Sequence, residues 1–298
     1  MIFRMRLKTT ALYTSLVLIM GLSHSAWAVQ DKSPWSTNAR ISFTSDDNIS
    51  QAEQDSDIAE DQSAELSASL AFSRLLTLKQ GYTIAGFTKF KGHREFSTLD
   101  SSSLGVTAIY RIQPQLGFTQ PLYQLSATLK AEEFDFDQRD STTIELRAQI
   151  KKRITDKLAL AIGGEHQSTE SDGTVFDLER TKFFTNFDLS LNSAALIYFN
   201  YSYIDGDSVS TGFANNQPFR VINAQEASEP DLAFSELLTG AWIAYRLSAK
   251  TNTYKLGYNR RISPSMSIDL SVLMADVEAR GDNNYQRLLG RLSIAKRF

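Results

Sequence analysis

Two residues have the types and the spacing of a hydrolytic pair. His166 and Ser168 stand two positions apart, with Glu165 and Glu170 close by. A serine hydroxyl becomes a nucleophile when a histidine within hydrogen-bond reach takes its proton and an acid orients that histidine. Residues two apart on a strand project from one face, so the pair could act together. A serine-rich chain also produces an H-x-S by chance, and both interpretations stay open.

A second group of candidate ligands is the acidic segment 46–61. Its carboxylates belong to Asp46, Asp47, Glu53, Asp55, Asp57, Glu60 and Asp61. Oxygen-rich loops can bind calcium, but the ordered D-x-D-x-D-G spacing of a defined site is missing. The chain also has no cysteine and only three histidines. We therefore expect a solvated exterior loop, with no metal site and no cofactor.

The elements that carry these residues show an alternation of apolar and polar side chains. It recurs in many segments, for example 64–72, 104–112, 144–150 and 266–274. Strict alternation places one face of a strand in a dry medium and the other in water. A soluble β-sandwich gives the same pattern, but its strands are usually only about five or six residues long. Here the strands are longer, short turns alternate with long polar loops, and aromatic residues lie near strand ends, which favours an antiparallel transmembrane β-barrel.

The alternation predicts an odd number of candidate strands, thirteen in all. The candidates are 35–46, 63–75, 79–93, 102–113, 120–136, 141–154, 157–168, 177–191, 194–206, 234–248, 251–262, 265–277 and 284–298. A barrel with both termini on one side of the membrane needs an even number. Merging 234–262 into one irregular strand gives twelve, and a hidden strand at 219–222 gives fourteen. Within this range of 12–14 strands we favour fourteen.

The first residues predict secretion. Arg4, Arg6 and Lys8 precede the apolar run ALYTSLVLIMGL at 11–22, and an A-x-A site ends at Ala28. This is the pattern of a cleaved signal peptide. The apolar run is shorter than the roughly 20 residues of a spanning helix, although a retained anchor is the alternative. We expect cleavage near Ala28 and a single barrel domain over 29–298.

Composition excludes two further classes of protein. The formal net charge is −3, whereas nucleic-acid binders usually carry a basic surface. The mean hydropathy is −0.25, and no apolar run after residue 28 is long enough to form a spanning helix, which excludes a helical membrane protein. Barrel strands escape that test because only half of their residues are apolar.

The polar partners of the apolar positions should face the lumen of the barrel. This set comprises Lys89, Lys91, Arg111, Lys130, Glu132, Glu145, Arg147, Lys151, Lys182, Asp188 and Arg246, together with Lys255, Asp269 and Arg291. Most are basic, which predicts a lumen that favours anionic solutes. The alternative is that opposite charges, such as Lys130/Glu132 against Glu145/Arg147, pair across strands and fill the barrel. His93 has the lumenal parity as well, and we expect it to be a solvated residue at a strand end.

The last segment, YQRLLGRLSIAKRF at 285–298, resembles the closing strand of Gram-negative outer-membrane proteins, with alternating apolar residues and a terminal aromatic. The resemblance implies an outer-membrane location among phospholipid and lipopolysaccharide. It also implies that the barrel-assembly machinery recognises this strand with Phe298. The His166/Ser168 pair loosely resembles the adjacent His and Ser of outer-membrane lipid A deacylases, which use a smaller barrel.

These observations predict a porin-like passive channel for small polar solutes with an anion preference. A non-conducting structural or surface-interaction barrel is the first alternative, and a lipid-modifying hydrolase built on His166 and Ser168 is the second. The loop at 205–233 is the longest. It is expected either to constrict the pore or to stand outside as a partner-binding element.

Overall fold

A ring of antiparallel strands forms the body of the protein. The computed structural model describes residues 33–238 and 240–298, so the predicted signal peptide lies outside the described residues. The wall of the ring consists of β1 Trp35–Asp46, β2 Asp61–Thr77, β3 Gln80–His93, β4 Ser101–Ile112, β5 Leu122–Phe134, β6 Ser141–Arg153, β7 Leu158–Ser171, β8 Leu178–Ser190, β9 Ala195–Phe213, β11 Trp242–Ser263, β12 Met266–Ala279 and β13 Asn283–Arg297.

The ring closes on itself by backbone pairing. Each strand pairs with its neighbours in the chain, β9 pairs with β11, and β13 pairs with β1. The closing register runs from Asn38 opposite Arg297 to Asp46 opposite Leu289. A closed ring leaves no edge strand, which is the condition for a sheet to sit in hydrocarbon.

The prediction of an all-β antiparallel barrel holds, but the preference for fourteen strands is wrong. The barrel has 12 strands, and one further strand lies outside it. Residues 248–250, expected to be a turn, lie within β11, which runs unbroken from Trp242 to Ser263. The hidden strand expected at 219–222 belongs instead to a helix, α1 Phe219–Ala224. This helix begins directly after Pro218, and its residues, FRVINA, do not alternate between apolar and polar as those of a strand would.

The segment between β9 and β11 contains the remaining elements. They are α1, the outside strand β10 Ala227–Pro230 and a helical turn α2 Leu232–Ser235. β10 pairs only with residues 243–246 of β11, beyond the part of β11 that pairs with β12. The loop that the sequence left without structure is therefore a small folded unit.

The two faces of the wall differ in polarity as the alternation predicted. Outward side chains are apolar and exposed, for example Leu104 at 67% and Leu256 at 59%. Inward side chains are polar, and Ser42, Ser67 and Ser293 are almost fully buried. No helix among the described residues is long and apolar enough to cross a membrane.

The two ends of the barrel differ in their connections. One end, the turn end, has the connections 78–79, 113–121, 154–157, 191–194 and 264–265. The other, the loop end, has six loops in chain order at 47–60, 94–100, 135–140, 172–177, 214–241 and 280–282. In outer-membrane barrels the short turns face the periplasm and the long loops face the exterior.

The second, third and fourth loops share one construction. Each contains a single 3-10 turn followed by an aspartate: Asp100, Asp140 or Asp177. Their carboxylates accept hydrogen bonds from the N–H groups of His93 at 2.6 Å, Phe134 at 2.7 Å and Ser171 at 2.7 Å, which end the preceding strands. Burial raises the pKa of Asp100 and Asp140 despite these bonds. The carboxylates hold the loops in a fixed shape.

Close packing against a glycine shapes one part of the lumen. Gly163 faces inward, and a Cβ there would meet the carbonyl oxygen of Ala148, the ring of Phe184 and, at 2.8 Å, the Cβ of Gln149. The Phe184 ring is 2% exposed and lies under the guanidinium of Arg147, 4.1 Å from its Cζ. The missing side chain of Gly163 makes room for this stacked pair.

Gly163→Val is therefore expected to destabilise the barrel by about 1–3 kcal/mol, because overpacking against backbone forces the strands to shift. Gly86→Val is the matched control, since a Cβ at Gly86 has nothing within 4 Å and points to the lipid side. Urea unfolding of the two variants in the same detergent measures the difference. Equal losses of stability would contradict this account of Gly163.

Candidate functional site

The inner surface of the barrel carries a dense set of charges. The inward cations are Arg40, Lys89, Lys91, Arg111, Lys130, Arg147, Lys151, Lys182, Lys255 and Arg291, and the inward acids of the same zone are Glu65, Glu132, Glu145, Glu165, Asp188 and Asp269. The ladder registers place them on the face opposite the exposed apolar side chains. Cations outnumber acids, so the inner surface has a positive excess.

One wall of the lumen, formed by β5 to β8, is largely neutralised by ion pairs. Glu165 accepts from Lys182 at 2.8 Å and lies 3.4 Å from Arg147, and it is 8% exposed. Lys151 pairs with Asp188 at 2.9 Å. Lys130 pairs with Glu132 on its own strand. The alternative predicted from the sequence was a pairing across strands, with Glu145. We call this side, β5 to β8, the paired wall; it makes the lumen polar but adds little net charge to it.

The opposite wall carries positive charges without carboxylate partners. Arg40, Lys89, Lys91, Arg111 and Lys255, which we call the cationic wall, form no ion pair among the described residues. Arg111 instead donates to Thr83 at 2.9 Å, and Lys255 lies over the ring of Tyr198. Asp269 accepts from the Tyr198 hydroxyl at 2.9 Å. These cations keep their charge available to the lumen.

Arg246 does not lie with the other residues predicted for the lumen. It donates to the carbonyl oxygen of Asp177 at 2.5 Å and to that of Thr174 at 3.1 Å, in the fourth loop. The predicted parity was reversed here because the apolar Tyr245 and Leu247 were taken as lipid-facing. Both are buried, at 3% and 0% exposure, on the inward side of β11, so Arg246 projects from the other face.

Three inward residues were absent from the predicted set: Arg40, Glu65 and Glu165. The alternation contained the signal, since Arg40 precedes Ile41 and Glu65 stands between Ala64 and Leu66. Glu165 was considered only as a neighbour of His166. His93, expected to be solvated, has a side chain only 3% exposed, 3.5 Å from Asp100.

The chain between β9 and β11 closes over the loop end of the barrel. Beyond Gly206, β9 no longer pairs with β8, and before Ala249, β11 does not pair with β12. We call residues 207–248 the cap. Gly206 has a φ of +145°, and a Cβ there would lie 2.8 Å from the Cα of Arg180, so the backbone conformation at the base of the cap requires glycine.

The cap crosses the mouth of the barrel. The carbonyl oxygen of Ala233 accepts from the Thr98 hydroxyl at 2.7 Å, and Thr98 belongs to the second loop, between β3 and β4. In a ring of 12 strands, β9 and β11 stand opposite β3 and β4. A contact between these two sides exists only if the cap spans the opening.

Further bonds connect the cap to the loops around the rim. The first loop supplies the carbonyl oxygen of Ser50 to the N–H of Thr211 at 2.8 Å. In the third loop, Arg139 donates to Asp231 at 2.7 Å. In the fourth loop, the N–H of Val175 donates to Glu229 at 3.1 Å. The cap is therefore tied down on several sides.

An aromatic cluster joins the cap to the first and second loops. The ring centroid of Phe234 is 4.9 Å from that of Phe96 and 5.8 Å from that of Trp242. Phe234 is 1% exposed, and Leu99 and Ala59 complete the cluster. Burial of these rings away from water stabilises the seated cap.

The acidic segment 46–61 is partly structural, contrary to the expectation of a solvated loop. Asp57 is 2% exposed and accepts from the N–H of Phe213 at 3.0 Å. Asp61 accepts from the N–H groups of Glu95 and Phe96, both at 3.1 Å, and Asp46 pairs with Arg287. Among the described residues, no group of three or more His, Asp or Glu side chains is arranged to hold a metal ion.

The candidate hydrolytic pair lies on the outward face of β7 without a direct link. His166 contacts the Thr181 hydroxyl at 3.2 Å through Nδ1 and stands 3.6 Å from Glu179 through Nε2. Within residues 33–238 and 240–298, no hydrogen bond joins His166 to Ser168. The structure thus places His166 beside Thr181 and Glu179 of β8 rather than in a bond with Ser168.

Comparison with known proteins gives a fold class. No protein-family model and no curated protein sequence matches the chain. Among solved structures, an outer-membrane channel from Pseudomonas putida F1 has a TM-score of 0.54 at 10% identity, over 88% of this chain and 95% of that chain. The KdgM porin in complex with disordered oligogalacturonate has a TM-score of 0.43 at 10% identity, over 88% and 98%.

LpxR from Salmonella typhimurium has a TM-score of 0.42 at 10% identity, over 86% of this chain and 99% of that chain. The likeness to the P. putida channel shows the fold, and it confirms the sequence-based prediction of a closed antiparallel β-barrel. The apolar outer face of the wall is thus the surface that meets membrane lipid.

The contacts of the cap predict how it can be loosened. Asp231 is 1% exposed and accepts from both Arg139 and the Thr211 hydroxyl at 2.7 Å. Asp231→Ala leaves both donors without their acceptor, so we expect the cap to lose about 3–5 kcal/mol of local stability. Hydrogen exchange of the amides in 207–248 measures this loss.

Arg220→Ala is the matched control, because it also removes a contact of the cap. The Arg220–Glu53 pair is exposed, with 49% of the arginine side chain accessible, and such pairs contribute about 0–1 kcal/mol. Equal exchange in both variants would mean that the buried pair does not hold the cap.

Proposed function

We propose that the protein is a porin-like channel of the outer membrane that passes small anionic solutes. The observation that carries this proposal is the cationic wall, a set of inward positive charges with no carboxylate within ion-pair distance. A charge without a partner inside a low-dielectric wall attracts mobile counter-ions. Anions are the ions that such a lumen concentrates.

The division of the lumen into two walls supports a selective path. On the paired wall, the positive charges of Arg147, Lys182 and Lys151 are balanced by carboxylates within 4.0 Å. On the cationic wall, Lys89 and Lys91 follow one another on the inward face of β3, and Arg40 stands across β2 from Lys89. A solute anion passing along this side meets successive positive groups, as in anion-selective pores.

The cap restricts entry from the loop end. It spans the opening and is held by buried contacts, so solutes must pass beside it or when it is displaced. Passage is therefore limited to small solutes in the arrangement described here. The first loop, which contains the acidic segment, contributes to this restriction, because its residues Asp57 and Ser50 accept hydrogen bonds from the backbone of the cap.

The cap also supports a second candidate function, a barrel that does not conduct. A mouth crossed by a packed aromatic cluster suits a structural or surface-interaction protein as well as a gated pore. The two candidates differ in what happens when the cap is loosened: a channel gains current, and a filled barrel stays silent.

Reversal potentials in a salt gradient test the channel proposal. The wild-type barrel should prefer chloride over potassium, and Lys89→Gln with Lys91→Gln should reduce that preference. A unit charge about 10 Å from an ion in water changes its energy by about 0.4 kcal/mol, or roughly twofold per charge. The effect should be largest at low ionic strength, where screening is weak.

Lys89→Arg with Lys91→Arg is the matched control, because it keeps both charges and should keep the selectivity. Asp231→Ala, recorded in parallel, should raise the single-channel conductance by freeing the mouth. A barrel that runs as folded on an unheated gel and stays silent even with Asp231→Ala would favour the non-conducting candidate.

We also propose that the last strand directs assembly and that lipopolysaccharide surrounds the loop end. β13 closes the ring, and Phe298 donates its N–H to the carbonyl oxygen of Thr37 at 2.9 Å while its side chain is 68% exposed. An exposed terminal ring contributes little packing inside the barrel. It is thus available to a factor that reads the chain during insertion.

Removal of Phe298 should lower the amount of folded protein in the outer membrane several-fold, while leaving the refolded barrel nearly as stable as the wild type. Heat-dependent gel mobility measures the folded fraction in cells, and urea unfolding measures the stability of the purified protein. A large stability loss in purified protein would assign Phe298 a structural role instead.

A further inference from the structure

The charges on the lipid-facing side of the barrel are sorted by end. Near the turn end, the outward charged residues are cations: Arg74, Lys152, Arg260 and Lys296 on strands, and Lys79 and Lys157 in turns. Among the described residues, the acid in the turns at this end is Asp156, which is exposed. This sorting is independent of the lumen and of what passes through it.

The ladder registers settle the direction of the four cations on strands, and Lys79 and Lys157 lie in the adjoining turns. Arg74 pairs with Tyr82, and Lys152 pairs with Leu160, while Arg260 pairs with Ile268, which belongs to the outward apolar row of β12. Lys296 follows Ile294 by two residues, so it shares the outward face of β13. All of them are exposed at the sheet surface.

These cations have no acidic partners. None of the six forms an ion pair within the described part of the chain. At the loop end, Arg139, Arg220, Arg246 and Arg287 do form ion pairs, whereas the exposed Arg94, Lys250 and Arg280 stand there among outward acids without one in the described residues. The ammonium group of Lys296 lies over the ring of Phe298, 4.8 Å from its centroid. Several unpaired cations at one level of a surface indicate that their counter-charge comes from outside the protein.

The six cations are spread round the ring in three groups. Arg74 and Lys79 belong to the β2–β3 hairpin, Lys152 and Lys157 to the β6–β7 hairpin, and Arg260 and Lys296 to β11 and β13. In the strand order these groups stand about four strands apart. Every side of the barrel therefore presents positive charge, as a surrounding layer of ligands would require.

Aromatic side chains mark the level of the membrane at which the cations lie. Trp35 and Tyr123 are exposed at 54% and 41% on the outer face near the turn end, and Tyr82 stands beside Arg74. Tyrosine and tryptophan favour the boundary between hydrocarbon and head groups. Cations at or just beyond this boundary are level with lipid phosphates.

We propose that these six residues form a cationic belt that binds the head groups of anionic phospholipids in the leaflet at the turn end. A lysine or arginine near an anionic surface gains about 1 kcal/mol, and the attraction falls off within a Debye length. The belt also helps to fix the vertical position of the barrel, because moving it into hydrocarbon would strip its cations of phosphate and water.

The loop end lacks such a belt. Its outward, exposed strand residues include the acids Glu133, Glu170, Glu179 and Asp205. These acids repel anionic phospholipid, so the two leaflets meet opposite fields on one barrel. A soluble acidic protein is a weaker candidate partner for the belt, since the belt faces sideways at the lipid boundary rather than down into the aqueous phase.

Spin-labelled lipids test the belt directly. The purified barrel is placed in phosphatidylcholine vesicles at low salt, and the motionally restricted fraction is compared for labelled phosphatidylglycerol and labelled phosphatidylcholine. We expect phosphatidylglycerol to associate about two- to fivefold more strongly, the upper value being the factor for ~1 kcal/mol per cation. The ratio should fall towards one in concentrated sodium chloride.

The variant R74Q/K79Q/K152Q/K157Q/R260Q/K296Q should lose the preference. Glu133→Gln with Glu179→Gln is the matched control at the other end, and it should keep or raise the preference. If the sixfold variant does not fold on the gel, K152Q/K157Q alone should lower the ratio in proportion. A folded wild-type barrel with a ratio near one, or a sixfold variant with an unchanged ratio, overturns the proposal.

Discussion

The structure depends on one constraint: every strand of the wall must have a hydrogen-bonding neighbour on both sides, because hydrocarbon offers no partner to a free backbone group. The pairing of β13 with β1 satisfies it where the chain would otherwise leave two edges. Once the ring is closed, each strand has one face towards lipid and one towards the lumen. The parity of each residue then decides which medium it meets, and a shift of one residue would exchange the two sets.

The same constraint explains why the cap can exist only beyond the wall. Above Gly206 and Ala249 the hairpin of β9 and β11 leaves its neighbours, and its free backbone groups need new partners. The first loop supplies some of them, through the carbonyl oxygen of Ser50 and the carboxylate of Asp57. Outside the hydrocarbon zone these partners need not be strands, so loop residues can satisfy the free backbone groups there, whereas in the membrane a neighbouring strand must do so.

Much of the wall could be predicted from the sequence, because alternation reports directly on a two-faced environment. The expected strands at 35–46, 141–154 and 284–298 agree with β1, β6 and β13 within a residue or two. The cap could not be predicted in this way. Tyr245 and Leu247 are apolar because they are the part of the cap that packs against Val277 and Tyr285 of the wall, and a pattern cannot distinguish that protein interior from lipid. This is also why Arg246 was assigned to the wrong face.

The positions of individual charges were predictable, but their pairing was not. Which lysine reaches which glutamate depends on the stagger between strands, and the stagger is fixed only when the ring closes. Glu165 illustrates the point, since it holds both Arg147 and Lys182 from the two adjacent strands.

Gly206 stands at the base of a long arm of the cap. Seven residues of β9 follow it, from Asp207 to Phe213, and at about 3.3 Å per residue they form an arm of roughly 23 Å. A rotation of about 10° at the base would move the tip of such an arm by about 4 Å, more than the width of a water molecule. A small change in the backbone angles at Gly206 would therefore change the distance between the cap and the mouth of the barrel substantially.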